Sequence, residues 1–161
     1  MKEIPFQSRL INGFEACGGY SFKCNNRFKV GIHDLWVGLP NVPGFFVECK
    51  VMRVPDRTIE LLDGGHAMSV PKEHRPSPMQ VEFERKVRTR SGTKCVGLAL
   101  VNDCRMAMMR TVEGVDSPTK WGDLMRQLSV HHEYYTGKNI SWKSVAHIVG
   151  LIMRGWYERE E

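Results

Sequence analysis

The sequence predicts a single α/β or α+β domain, ordered helix, three strands, helix, two strands, and then two further helices. Three observations carry this. Apolar residues recur at helical spacing near both ends of the chain, as Phe6, Leu10, Phe14 and Cys17 and again as Trp142, Val145, Val149, Ile152 and Trp156. Short apolar runs bounded by Gly, Pro and Asn fill the middle, as strands do. Two Ser-Pro pairs, Ser77-Pro78 and Ser117-Pro118, mark helix starts, with Ser as the cap and Pro at the first helical position.

Taken in order, the first helix covers 5–17, opening at Pro5 and stopped by Gly18-Gly19. A strand with an internal turn at Asn25-Asn26 spans 20–30. Two more, at 31–37 and 44–52, flank a turn from Gly38 to Gly44. Residues 53–76 hold Gly64, Gly65, Pro71 and Pro76 and read as a long irregular segment. The second helix runs over 77–90. Strands 94–101 and 104–111 follow, joined by a tight Asn102-Asp103 turn. The helix from Ser117 places Trp121, Leu124, Met125 and Leu128 on one face, and the last helix covers 141–156. The main core is assigned to 1–116. Residues 117–161 are expected to form a helical C-terminal extension that packs on that core or supplies a dimer seam.

At 161 residues and 42% hydrophobic, the chain can bury one core of its own. No apolar run approaches the roughly 18–20 residues needed to cross a membrane, and the first residues lack a signal-peptide pattern. A cytoplasmic location is expected. Cys17, Cys24, Cys49, Cys95 and Cys104 show no C-x-x-C spacing, so free thiols are expected rather than disulfides or a zinc site. His131, His132 and His147 are read as solvated residues rather than metal ligands. The net charge is +5, and residues 50–94 hold ten Lys and Arg against six Asp and Glu. That excess suits a nucleic-acid partner, and suits an ordinary solvated surface equally well.

Asp34, Glu48 and Lys50 stand out because they lie inside apolar runs with Leu35, Trp36, Val37, Phe45, Phe46 and Val47 around them. Unpaired charge there is costly. If the strands pair symmetrically about Asn41, Gly38 faces Gly44, Trp36 faces Phe46, and Asp34 faces Glu48, with Lys50 on the same face. Two adjacent carboxylates repel and require a counter-charge. Lys50 alone can supply it as a salt bridge, or a divalent cation can join the two oxygens.

The Asp of Gly31–Leu35, followed by Glu48-Cys49-Lys50, resembles the signature of the PD-(D/E)xK nuclease superfamily, in particular its phage-type and VRR-type nucleases and archaeal-like Holliday-junction resolvases. The resemblance covers roughly residues 3–101. His33 stands where the superfamily usually has Pro. The early helical Glu of the family falls on Glu3, Glu15 being too far round the helix. The Gln of the helix after the E-x-K strand falls on Gln80, which also completes an S-x-x-Q capping box with Ser77.

This resemblance implies a restriction-endonuclease-like core and hydrolysis of DNA phosphodiester bonds with Mg²⁺ or Mn²⁺. Asp34, Glu48, the backbone carbonyl of Cys49 and Glu3 would be the metal ligands. Lys50 and Gln80 would act on the attacking water. Arg53, Arg57, Lys72, Arg75, Arg85, Lys86, Arg88 and Arg90 are candidate phosphate contacts. The expected activity is that of a homodimeric endonuclease selective for branched DNA, a Holliday-junction resolvase, working in a host cytoplasm if phage-encoded. A less selective phage nuclease for DNA degradation or end processing is the alternative, and a DNA-binding protein without chemistry is the alternative of another class.

Overall fold

The computed structural model describes residues 2–24, 31–63, 68–69, 72–102, 106–110, 120–123 and 141–159. The expected turn at Asn25-Asn26, Gly64 and Gly65, Cys104, and His131 and His132 lie outside them. Helix α1 runs from Glu3 to Ala16. It begins two residues before Pro5, which is tolerated because the first four N–H groups of a helix have no partner within it. Phe6, Leu10 and Phe14 form its buried stripe. Its end is closed by Gly18 N–H donating to the Glu15 carbonyl at 2.9 Å and Gly19 N–H to that of Phe14 at 3.0 Å.

The sheet has seven strands in the order β1-β2-β3-β5-β6-β7-β4. These are β1 (Tyr20–Lys23), β2 (Leu35–Leu39), β3 (Val42–Met52), β4 (Met68–Ser69), β5 (Lys94–Val101), β6 (Met106–Arg110) and β7 (Lys120–Asp123). β3 and β5 pair in parallel, and the other neighbours pair antiparallel. A parallel pair needs a crossover, and the chain between them supplies helix α2 (Asp56–Asp63), a 3-10 turn at Lys72–His74 and helix α3 (Pro78–Ser91). Helix α4 (Trp142–Arg159) closes the described chain. No described helix is long and apolar enough to cross a membrane.

β3 divides the molecule into two faces. Phe45, Val47 and Cys49 point to one side and join Phe6, Leu10, Phe14, Val96, Leu98, Leu100 and the apolar stripe of α4 in the core. Phe46, Glu48 and Lys50 alternate to the other side, under α3, where Phe46 meets Phe83 edge-on at 5.0 Å. The β5 partners of those three are Cys95, Gly97 and Ala99, whose small side chains leave room on that face. The seam of α4 is spent on the core: Val145, Val149, Ile152 and Trp156 are buried there, with Trp142 packed beside them.

Three expectations need correction. Residues 53–76 are not wholly irregular, since α2 forms after Pro55 and buries Ile59. A helix of about two turns is too short to leave a periodic apolar pattern to read. Trp121 lies on strand β7, not on a helix. Its expected partners Leu124, Met125 and Leu128 lie outside the described residues. The hairpin is tighter than expected: Leu39 pairs with Val42 around Pro40-Asn41, and the register shifts between Val37 and Leu39. Asn41 takes the left-handed conformation (φ 62°) that such a short turn requires. Trp36 faces Phe46 as expected, but Gly38 and Gly44 do not form a ladder pair. The Trp36 indole covers both glycines; a Cβ at Gly38 would come within 2.8 Å of it and one at Gly44 within 2.5 Å.

Tyr157 of α4 ties the start of the parallel pair together. Its hydroxyl donates to the Gly44 carbonyl at 2.8 Å and accepts from Lys94 N–H at 2.9 Å. Lys94, buried, places its ammonium 4.5 Å from the Trp156 ring centre and 5.1 Å from that of Tyr157. Tyr157→Phe is expected to lower unfolding free energy by about 1–3 kcal/mol, the cost of leaving a partly buried N–H without its acceptor. Urea denaturation followed by circular dichroism measures this, and an unchanged midpoint would refute the tie.

Candidate functional site

Asp34 sits one residue before β2, just beyond the last ladder pair, Leu35 with Val47. There the β2 backbone has left β3, so the Cys49 N–H has no ladder acceptor on that side. The Asp34 carboxylate takes it: Oδ2 accepts from Cys49 N–H at 2.8 Å. The Asp34 carbonyl accepts from Cys24 N–H at 2.8 Å, which ties the residue to β1 as well. Gly31, at the head of this segment, lies against the first turn of α3. Its φ is +91°, and a Cβ there would fall 2.5 Å from the Met79 carbonyl oxygen.

Glu48 is 5% exposed. Its Oε1 accepts from Gln80 Nε2 at 2.9 Å and lies 3.4 Å from Lys50 Nζ. Its Oε2 lies 3.4 Å from His33 Nδ1, and neither of these two atoms has a hydrogen-bond partner. Burial pushes the Glu48 carboxyl up from the ordinary range, and the charge of Asp34 adds to the rise; His33 and Lys50 oppose it. Burial, followed by the charges of Asp34, Glu48 and Glu3, holds the Cys49 thiol well above the usual thiol range. Cys49 is thus an inert core residue. Cys17, Cys24 and Cys95 are likewise free thiols.

Gln80 fills both of the roles open to it. The Ser77 hydroxyl accepts from Gln80 N–H at 3.2 Å, and Gln80 Oε1 accepts from Ser77 N–H at 2.9 Å, completing the capping box. The amide nitrogen is left for Glu48. One side chain starts helix α3 and holds the carboxylate on the sheet below it.

Two residues at the site gave no functional signal in the sequence reading. His33 is fully buried, with Nε2 2.6 Å from Glu84 Oε1 and its ring 5.4 Å from that of Phe83. Glu84 follows Gln80 by one helical turn. The i, i+4 spacing of Gln80 and Glu84, with His33 beside Asp34, was the available clue.

The remaining candidates are spread out. Glu3 is exposed in the first turn of α1, where Lys2, Glu3, Ile4, Pro5 and Val51 line a shallow cleft on the core side of β3. Among the described residues no three carboxylate, imidazole or thiol groups converge as a ready-made metal cage. Arg53, Arg57, Arg75 and Arg90 are exposed and Arg88 is half-buried. Arg85 is engaged on its own helix, with Nε and Nη2 at 2.9 and 2.6 Å from Glu82, and Lys86 lies 3.9 Å from the same carboxylate. The side chain of Lys72 lies outside the described residues. His147 is exposed on α4.

The raised Glu48 carboxyl fixes a sign. The folded protein holds the Glu48 proton more tightly than the unfolded chain does, so this residue's contribution to stability is present below the ordinary carboxylate range and is lost as pH rises through the folded value. Glu48→Gln, which stays neutral, is expected to be more stable than the wild type at pH 7–8, with the gain vanishing near or below about pH 4. Thermal melts across that range in EDTA test this, and a gain that grows toward acid pH would contradict it.

No family model and no curated protein matches the sequence. Among solved structures, the chain is similar to a VRR_NUC domain at 24% identity and a TM-score of 0.41, covering 63% of this chain and 85% of that one. It is also similar to Hjc of Archaeoglobus fulgidus, a Holliday junction resolvase from an archaeal hyperthermophile, at 10% identity and a TM-score of 0.44, covering 68% of this chain and 71% of that one.

Proposed function

We propose that this chain is a divalent-metal-dependent endonuclease that hydrolyses DNA phosphodiester bonds in the cytoplasm, selective for branched duplex and acting as a homodimer. The observation that carries the reading is the meeting of Asp34, Glu48, Lys50 and Gln80 under the first turn of α3, on a sheet face kept open by Gly97 and Ala99. An idle salt bridge explains less. Lys50 touches only one oxygen of Glu48, and Glu48 stays destabilised as a carboxylate by burial and by Asp34.

The donor set fits a hard cation. Two repelling carboxylates and a nearby backbone carbonyl are oxygen ligands of the kind Mg²⁺ or Mn²⁺ takes, and Glu48 Oε2 is buried without a hydrogen-bond partner. Asp34, Glu48 and the Cys49 carbonyl would hold the ion. When bound, such an ion lowers the pKa of water and offsets charge on a phosphate. The protein groups do the rest. Cys49 N–H holds Asp34 in place, and Gln80 and Lys50 hold Glu48. Lys50, with its side chain 19% exposed, can orient the attacking water and balance charge building on the phosphate. Arg53, Arg57, Arg75, Arg88 and Arg90 would steer and seat the DNA backbone. A homodimer suits a two-fold junction, which needs two cuts.

Asp34→Ala and Glu48→Ala are each expected to abolish Mg²⁺-dependent cleavage while leaving DNA affinity within a few-fold of wild type. A gel assay with a four-way junction and a matched linear duplex, with Mg²⁺ or with EDTA, measures this. Full cleavage by either variant would overturn the site, equal rates on both substrates would favour the less selective nuclease, and binding without any cleavage would favour the non-catalytic reading.

A further inference from the structure

We propose that His33 and Glu84 are positioning residues that act in series on Glu48 and thereby set the divalent-cation affinity of the site. The inference rests on the reading of Glu48 as a metal ligand and adds two residues to it.

The geometry is a chain of three side chains. Glu84 Oε1 lies 2.6 Å from His33 Nε2, and His33 Nδ1 lies 3.4 Å from Glu48 Oε2. The imidazole is fully buried and held between fixed surfaces, with Phe83 against its ring and Phe46 in turn against Phe83. Helix α3 thus addresses both oxygens of Glu48. Gln80 bonds Oε1 directly, and Glu84, one turn later, reaches Oε2 through His33.

Held on Oε1 by Gln80 and Lys50 and facing the buried imidazole with Oε2, the Glu48 carboxylate has little room to turn about its last torsions. Partners behind a metal ligand commonly change metal affinity by about 10- to 100-fold when removed. Glu84 does more than fill space, because its short contact fixes which way the imidazole faces. Without that contact only the packing of Phe83 would tie the ring to α3, and nothing polar on the helix would set the direction of its Nδ1 edge.

The test is Mn²⁺ titration by calorimetry on full-length protein without DNA, for wild type, His33→Asn, Glu84→Gln and the double variant, each checked for folding by thermal melt. His33→Asn is expected to weaken Mn²⁺ binding by about 10- to 100-fold and Glu84→Gln by a smaller factor. The double variant should bind no more weakly than His33→Asn alone, because Glu84 acts through the imidazole. A residue with only a packing role would lower the melting temperature and leave the Mn²⁺ affinity of the folded protein unchanged, and that result overturns the proposal. Losses that multiply in the double variant, or a wild type that does not bind Mn²⁺, overturn it too. If His33→Asn does not fold, Glu84→Gln decides alone: weaker Mn²⁺ binding at an unchanged melting temperature supports the proposal, and wild-type affinity refutes it. Mn²⁺ binding without DNA cleavage would defeat the nuclease reading while leaving this one standing.

Discussion

A carboxylate inside a sheet is the constraint around which the rest of this structure is arranged. Glu48 belongs to β3, inside the sheet between β2 and β5, and is nearly sealed from solvent. An isolated charge in that position would cost several kcal/mol. Three groups from three parts of the chain converge on Glu48: Lys50 from the same strand, His33 from the segment before β2, and Gln80 from α3, with Glu84 of α3 behind His33. Each requires its own element to be in register, so accommodating one buried carboxylate ties the placement of the hairpin to that of the helix.

The two faces of β3 divide the labour. On one face Phe45, Val47 and Cys49 bind the strand to α1 and α4 and supply the apolar burial that holds the domain together. On the other, the polar residues sit beneath a helix that has no fully buried residue of its own. The parallel pairing of β3 with β5 joins the two functions. It requires a long crossover, and that crossover carries Gln80, Phe83 and Glu84 over the strand.

Much of this was legible because it rests on local rules. The stripes of α1 and α4, the Ser77-Pro78 start and the pairing of Trp36 with Phe46 follow from spacing, cap chemistry and turn residues. What escaped depends on longer range. Strand β7 at Trp121 gains its identity from pairing with β6 and β4, and its sequence shows no alternation. Helix α2 buries Ile59 but carries no apolar stripe long enough to read from spacing. The register shift before Asn41 and the Trp36 ring lying over two glycines are features that residue spacing does not encode. At the site, Asp34 and Glu48 could be placed together from the hairpin. The positions of His33 and Glu84 could not, because they follow from how α3 settles onto the sheet.

The double use of Gln80 has an evolutionary consequence. Its oxygen serves the helix cap and its nitrogen serves Glu48, so the position has almost no freedom to drift. Glutamate would keep the acceptor for the cap but set a third carboxylate against two others. Asparagine has the right atoms on a side chain one methylene too short, and alanine abandons both duties together. Selection for a well-folded helix and selection for a working site therefore fall on a single codon. Of these replacements only glutamate keeps the cap, and none keeps the contact with Glu48.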